Sequence, residues 1–135
     1  MQIELTEKEY RRLLDMVYIG NWVLNSARGQ DRFPDYDKVE SKIFSYCKDH
    51  RMESLIERWN GEIVPSRAFA EGGIHEAIMD YEDAVFFDIL AEELARRDMK
   101  YAPISSQNYE ELMARMDEYM DEFERNGTDH LQLED

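Results

Sequence analysis

The sequence predicts a single, mostly α-helical domain over residues 1–135: a bundle of four or five helices with a small β-ribbon pairing the two termini. Three observations carry this expectation. Apolar residues recur at helical spacing along most of the chain. Cap-forming residues stand at both ends of several of these stretches. The length matches one domain of ~100–150 residues, and at 43% hydrophobic residues the chain has the material for a core.

The chain opens on a short alternating run, QIEL, with Ile3 and Leu5 on one side. Thr6 then starts a helix: Thr6 and Glu9 have capping-box spacing, and Leu5 with Tyr10 have hydrophobic-staple spacing. Tyr10, Leu13, Leu14, Val17, Asn21 and Leu24 recur at helical spacing, which carries this helix to about Asn25. The segment NSARGQDRFPDYD is rich in Gly, Pro, Asp and Asn and reads as a loop. A second helix is expected from about Tyr36 to Asp49, with Tyr36, Val39, Ile43, Tyr46 and Cys47 as its apolar stripe.

Residues 52–70 admit two readings: a hairpin turning at Asn60-Gly61, or an irregular loop. Pro65 and Ser66 mark the start of a new helix with Ser66 as its cap, and Gly72-Gly73 interrupts it. Between residues 74 and 90 the apolar face changes sides. Ile74, Ile78, Tyr81 and Val85 define one face, and Phe87, Leu90 and Leu94 fall roughly opposite. A break near Asp80 would resolve the conflict, with Asp80 as N-cap and Glu82 and Asp83 in the first turn, where the helix dipole favours carboxylates.

The stretch AVFFDILAEELARRDM is built of strong helix formers and carries arginines in its last turns. After Pro103, Asn108 is expected to cap a last helix with the stripe Tyr109, Leu112, Met113, Met116, Tyr119, Met120 and Phe123. Gly127 stands at its C′ position. The closing HLQLE alternates again, with Leu131 and Leu133 on one side, and this run is the expected partner of QIEL.

Charge is the most informative property of the composition. The chain holds 31 Asp plus Glu against 16 Lys plus Arg, a net charge of −15. Residues 1–67 contribute 12 acids and 11 bases; residues 68–135 contribute 19 acids and 5 bases. Repulsion from phosphates therefore disfavours direct nucleic-acid binding through the second half. A basic partner, a cation, or solubility alone are the readings that remain. No apolar run approaches the ~20 residues of a membrane span. One cysteine, Cys47, excludes an intramolecular disulfide framework, and the opening MQIELTEKEY lacks the features of a secretion signal. Cytoplasm is the expected compartment.

No motif names a reaction, and no cofactor is expected. GxGxxG and the P-loop are absent, and DRFPDYD lacks the glycine of an EF-hand loop. Cys47 and His50, three apart, make half a zinc site with no second half; their plain reading is a buried thiol beside a helix-end histidine. His75, Glu76 and Asp80 form a candidate metal or acid–base group at the expected kink, without the spacing of a His-Glu-x-x-His or di-iron motif. Met113, Met116 and Met120 suit either core or an adaptable contact face. Asp117, Glu118, Asp121 and Glu122 form a carboxylate row on the last helix, a candidate surface for a basic partner.

The stretches ELTEKEYRRLLDMVYIGNWVLN, YEDAVFFDILAEELARRDM and FERNGTDHLQLED resemble a set of small acidic bacterial proteins of hypothetical function. The resemblance implies a bacterial cytosolic protein and carries no activity, cofactor or site residue. The functional expectation is a non-enzymatic acidic interaction protein, an adaptor or inhibitor of a basic protein and in the extreme case a nucleic-acid mimic. The alternative is a metal-binding protein or metal-dependent enzyme near His75, Glu76 and Asp80.

Overall fold

The protein is mainly α-helical, with one small antiparallel sheet. Its computed structural model describes residues 1–134. The helices are α1 (Glu7–Asn25), α2 (Pro34–Phe44), a single turn α3 (Arg67–Phe69), α4 (His75–Asp98) and α5 (Tyr109–Asn126). The strands β1 (Ile56–Trp59) and β2 (Glu62–Pro65) form the sheet. The folded chain gathers into two compact units, Met1–Ile78 and Met79–Asp135.

In the first unit α1 begins as its caps dictate. Thr6 Oγ1 accepts from the Glu9 amide at 3.1 Å, and the Glu9 carboxylate accepts from the Thr6 amide at 2.9 Å. These bonds hold the Glu9 carboxyl below its ordinary range. Its apolar face buries Tyr10 and Leu14 against Phe44, Cys47, Ile63 and Phe69, which together form the core of the unit. Phe44 and Phe69 meet edge to face, with ring centroids 5.0 Å apart.

The second helix departs from its expected stripe. Ile43 and Cys47 turn inward, but Tyr36, Val39 and Tyr46 are exposed. The inward face instead runs through Asp37, Glu40, Phe44 and Cys47. Two carboxylates occupy inward positions because α1 meets them with polar side chains. The α-helix ends at Phe44, and a 3₁₀ segment, Ser45–His50, continues to Arg51, whose φ of 56° stops it.

The hairpin reading of residues 52–70 holds. Asn60 and Gly61 both take positive φ, 52° and 80°, as a two-residue type I′ turn requires. Ile56 pairs with Pro65, and Trp59 with Glu62. Ser66 then caps the next turn: its Oγ accepts from the Phe69 amide at 3.1 Å and donates to the Ser54 carbonyl at 2.7 Å. Gly72 and Gly73 interrupt the helix as expected, Gly73 at a φ of 111°. The small sheet is thus this hairpin. Residues 1–6 and 131–134 form no strand, so the expected pairing of the termini does not occur.

The break expected near Asp80 is also absent, and Asp80 lies inside a continuous α4. No glycine or proline interrupts residues 75–98, and one cap-forming residue is a weak competitor to such a run of helix formers. The expected first face does not persist past Ile78, where the first unit ends: Tyr81 is 67% exposed. Ile74 and Ile78 serve the first unit, while Ala91 and Ala95 are fully buried in the second. One helix meets both patterns because its first turn, to Ile78, belongs to the first unit and the rest to the second.

In the second unit the rings of Phe87 of α4 and Phe123 of α5 lie 5.1 Å apart, and Leu112, nearer the start of α5, is also buried. Asn108 stands at the N-cap of α5, but its side chain turns back into the preceding loop rather than capping the helix. It accepts from the Ser105 amide at 2.8 Å and donates to the Pro103 carbonyl at 3.0 Å. Gly127 ends the helix at a φ of 56°.

Candidate functional site

The polar face of the first unit is built on α1. Tyr18, Asn21, Trp22 and Asn25 follow one another at i, i+3, i+4 and i+7, so they share a face. Asn21 and Asn25 are buried, and buried amides need partners. Asn25 satisfies itself on the loop: its Oδ1 accepts from the Phe33 amide at 2.8 Å and its Nδ2 donates to the Phe33 carbonyl at 3.1 Å. It also donates to Asn21 Oδ1 at 2.7 Å, and Asn21 donates in turn to Asp37 Oδ1 at 2.9 Å. Asp37 receives Arg32 bidentately, Nε and Nη2 each at 2.6 Å. The Arg32 guanidinium holds the Asp37 carboxyl below its ordinary range, with Asn21 adding to the effect against the opposing pull of burial.

Glu40, one turn beyond Asp37, is in a different position. Burial raises its carboxyl to about 7, the Asn21 amide offsets part of the rise, the Asp37 charge adds to it and the Arg32 charge opposes it. Tyr18, Asn21, Trp22, Ser26, Arg32 and Glu40 line a cleft of about 280 Å³. Its aromatic wall is braced from behind. The Tyr18 hydroxyl shares a 2.7 Å hydrogen bond with His75 Nε2, and the Trp22 ring meets His75 edge to face at 4.6 Å. Burial keeps the Tyr18 hydroxyl protonated well beyond neutral pH. The cleft therefore offers a guanidinium already engaged by Asp37, an aromatic surface, and one carboxyl able to take or release a proton near neutrality.

His75, expected beside Glu76 and Asp80, is committed to Tyr18 and Trp22, and Glu76 and Asp80 are exposed. Among the described residues no three His, Cys, Asp or Glu side chains gather as metal ligands. Cys47 is fully buried and accepts a 3.5 Å hydrogen bond from the Tyr10 hydroxyl; burial raises its thiol pKa. His50 stacks on Tyr10 at 5.0 Å. The pair is a core thiol and a helix-end ring.

On α5 the row Asp117, Glu118, Asp121 and Glu122 divides. Asp117, Glu118 and Asp121 are exposed, and among the described residues none has an ion-pair partner. Arg115, two residues before Asp117, is held by Glu111 at 3.1 Å. Glu122 is partly buried and occupied. Its Oε2 accepts from Asn126 at 3.0 Å, and its Oε1, buried without another partner, faces His130 Nδ1 at 2.7 Å. A second recess of about 290 Å³ lies here, lined by Asp98, Arg115, Glu118, Tyr119 and Glu122. The Tyr119 hydroxyl donates to Asp98 and holds its carboxyl below the ordinary range. Met113 remains partly exposed, and Met116 and Met120 are half-buried.

Arg32, in the loop before α2, and Asp37 and Glu40 within it escape the sequence reading, because a charged residue in a loop or helix is assigned to water by default. One signal points to them: Asn21 and Asn25 lie on the apolar side of α1 at i, i+4, and two inward amides require a polar counterpart elsewhere in the chain. Comparisons with models of known families, with curated proteins and with solved structures find no match to this chain. Among the described residues no helix is long and apolar enough to cross a membrane.

Proposed function

We propose that this chain is a non-enzymatic interaction protein of the bacterial cytoplasm whose acidic half engages a basic protein surface. It acts as an adaptor or inhibitor and, in the extreme case, as an imitation of a nucleic-acid backbone. The observation that supports the reading is the unpaired row of Asp117, Glu118 and Asp121 on α5. Asp117 and Asp121 stand at i, i+4, a like-charge spacing that costs a few tenths of a kcal/mol and that a cationic partner would relieve. The charge is concentrated as well: residues 79–135 carry 17 acids and 5 bases, against 14 and 11 in residues 1–78. Such a field speeds encounter with a basic surface and repels polyanions. The compartment rests on the single buried thiol, and the bacterial setting on the resemblance to small acidic bacterial proteins.

The experiment is a pull-down from bacterial lysate at low and high salt. Wild type runs beside a variant carrying Asp117→Asn, Glu118→Gln and Asp121→Asn, with Glu122 kept because it serves Asn126 and His130. A basic protein retained by wild type, released by salt and absent from the variant lane is the expected result. Identical proteins in both lanes reduce the row to a solubility device, and retention of nucleic acid contradicts the reading.

A further inference from the structure

We propose that the cleft between α1 and α2 binds an organic cation, an alkylammonium or guanidinium group, seated on the Glu40 carboxylate against the Trp22 and Tyr18 rings. This site lies in the first unit and does not depend on the carboxylate row of α5.

Four observations lead to this ligand. The first is the balance of charge. Asp37 and Glu40 are two carboxylates facing one guanidinium, and Asp37 takes the Nε and Nη2 donors of Arg32, each at 2.6 Å. Among the described residues Glu40 makes no ion pair, Arg32 only partly opposing the effect of its burial, and a half-buried carboxyl in that state either stays protonated or recruits a positive charge. The second is the wall. Trp22 and Tyr18 stack with a 22° interplanar angle, and the indole is 37% exposed, so a cation can reach an aromatic face. The third is room. At about 30 Å³ per water-sized group, a cleft of about 280 Å³ holds a ligand of several heavy atoms. The fourth is what the cleft lacks. A divalent metal needs several free oxygen ligands, whereas Asp37 is engaged and Glu40 stands alone; an anion would meet the Glu40 charge. The chain's net charge of −15 adds long-range attraction for a cation.

The reading is tested by following Trp22 fluorescence in a Trp59→Phe background, which leaves Trp22 as the sole indole. Methylguanidinium, butylammonium, uncharged butanol and N-acetyl-arginine amide are titrated in at low salt. Saturable quenching by the cations, absent with butanol and weakened at least tenfold by Glu40→Gln, is the expected result. Asp88→Asn, at an exposed position of α4 in the other unit, leaves the titration unchanged. Capped arginine binding as well as methylguanidinium identifies the natural ligand as a side chain of a basic peptide; free cations alone binding identifies a small amine or guanidine. No saturation with any cation, equal response to butanol, or unchanged affinity in Glu40→Gln overturns the proposal.

A pH series on the wild type gives a second route. Binding that requires ionised Glu40 weakens about 30-fold between pH 8 and pH 5.5 for a carboxyl titrating near 7. Of the groups facing Glu40, Asp37 and Arg32 are paired with each other and the Tyr18 hydroxyl stays protonated, while His75 lies behind the cleft against both Tyr18 and Trp22, so the profile is compared with that of Glu40→Gln. A flat profile contradicts the assignment.

Discussion

Asn25 and Glu40 show how single residues decide the first unit. Asn25 is 1% exposed and fastens both backbone groups of Phe33 while bridging to Asn21. Asn25→Ala strands the Phe33 amide and carbonyl and the Asn21 oxygen together, a loss of about 2–3 kcal/mol of folding stability by chemical denaturation. Glu40 works in the other direction. Its carboxyl titrates at about 7 in the folded chain against an ordinary value of 4.5, so the unfolded chain releases this proton first. The group costs nothing below the unfolded value and lowers stability progressively as pH rises from about 4.5 to 7. Glu40→Gln is therefore neutral at pH 4 and stabilising by about 1 kcal/mol at pH 8, the figure reduced because the carboxyl keeps partial solvent contact. Denaturation at the two pH values checks both the sign and the window. A variant equally stabilised at pH 4 would show that packing, not ionisation, sets the effect.

At the scale of elements, the glycine pair between α3 and α4 separates backbone demand from space. Neither Gly72 nor Gly73 has an atom within 4 Å of an added Cβ, and only Gly73 has positive φ. Gly73→Ala destabilises by about 1 kcal/mol or more, while Gly72→Ala, at a φ of −83°, falls within a few tenths of neutral. A thermal melt of the two variants side by side reads the contrast. The start of α1 is the complementary case, since both capping-box bonds are present. Thr6→Ala costs about 1 kcal/mol, measurable as faster amide exchange at residues 8–10. For α1 cap and stripe were legible because the whole signal lies within one segment; for the last helix the span was legible, but the side chain of Asn108 serves the preceding loop instead of capping. For α2 the stripe was not, because Tyr36, Val39 and Tyr46 form as good an apolar pattern as the face that folds inward, and the choice between them belongs to Asn21 and Asn25 on another helix.

For the molecule as a whole, the division of charge follows the division into units: net −3 over residues 1–78 and net −12 over residues 79–135. Self-repulsion within the second unit weakens it at low ionic strength. Raising salt so that the Debye length falls from ~30 Å to ~3 Å screens that repulsion. Hydrogen exchange in α5 is expected to slow with added salt more than exchange in α1. Equal response of the two helices would mean that the acidic surface carries no energetic cost, and the interaction reading would lose its support in strain.

The sequence by itself determined the helical class, the capping of α1, the Ser66 cap and the interruption at Gly72-Gly73, and it offered the Asn60-Gly61 turn as one of two readings. Each depends on residues within a few positions of one another, where backbone sterics and hydrogen-bonding reach decide the outcome. Only the tertiary structure decided that α4 runs unbroken through Asp80, that the terminal runs form no strand, and that Asp37 and Glu40 face inward. Those outcomes turn on burial and on polar partners supplied from distant segments. A carboxylate's place and proton affinity are set by what surrounds it in space, and Glu40 meets Tyr18, Asn21 and Trp22 only once α1 and α2 have packed.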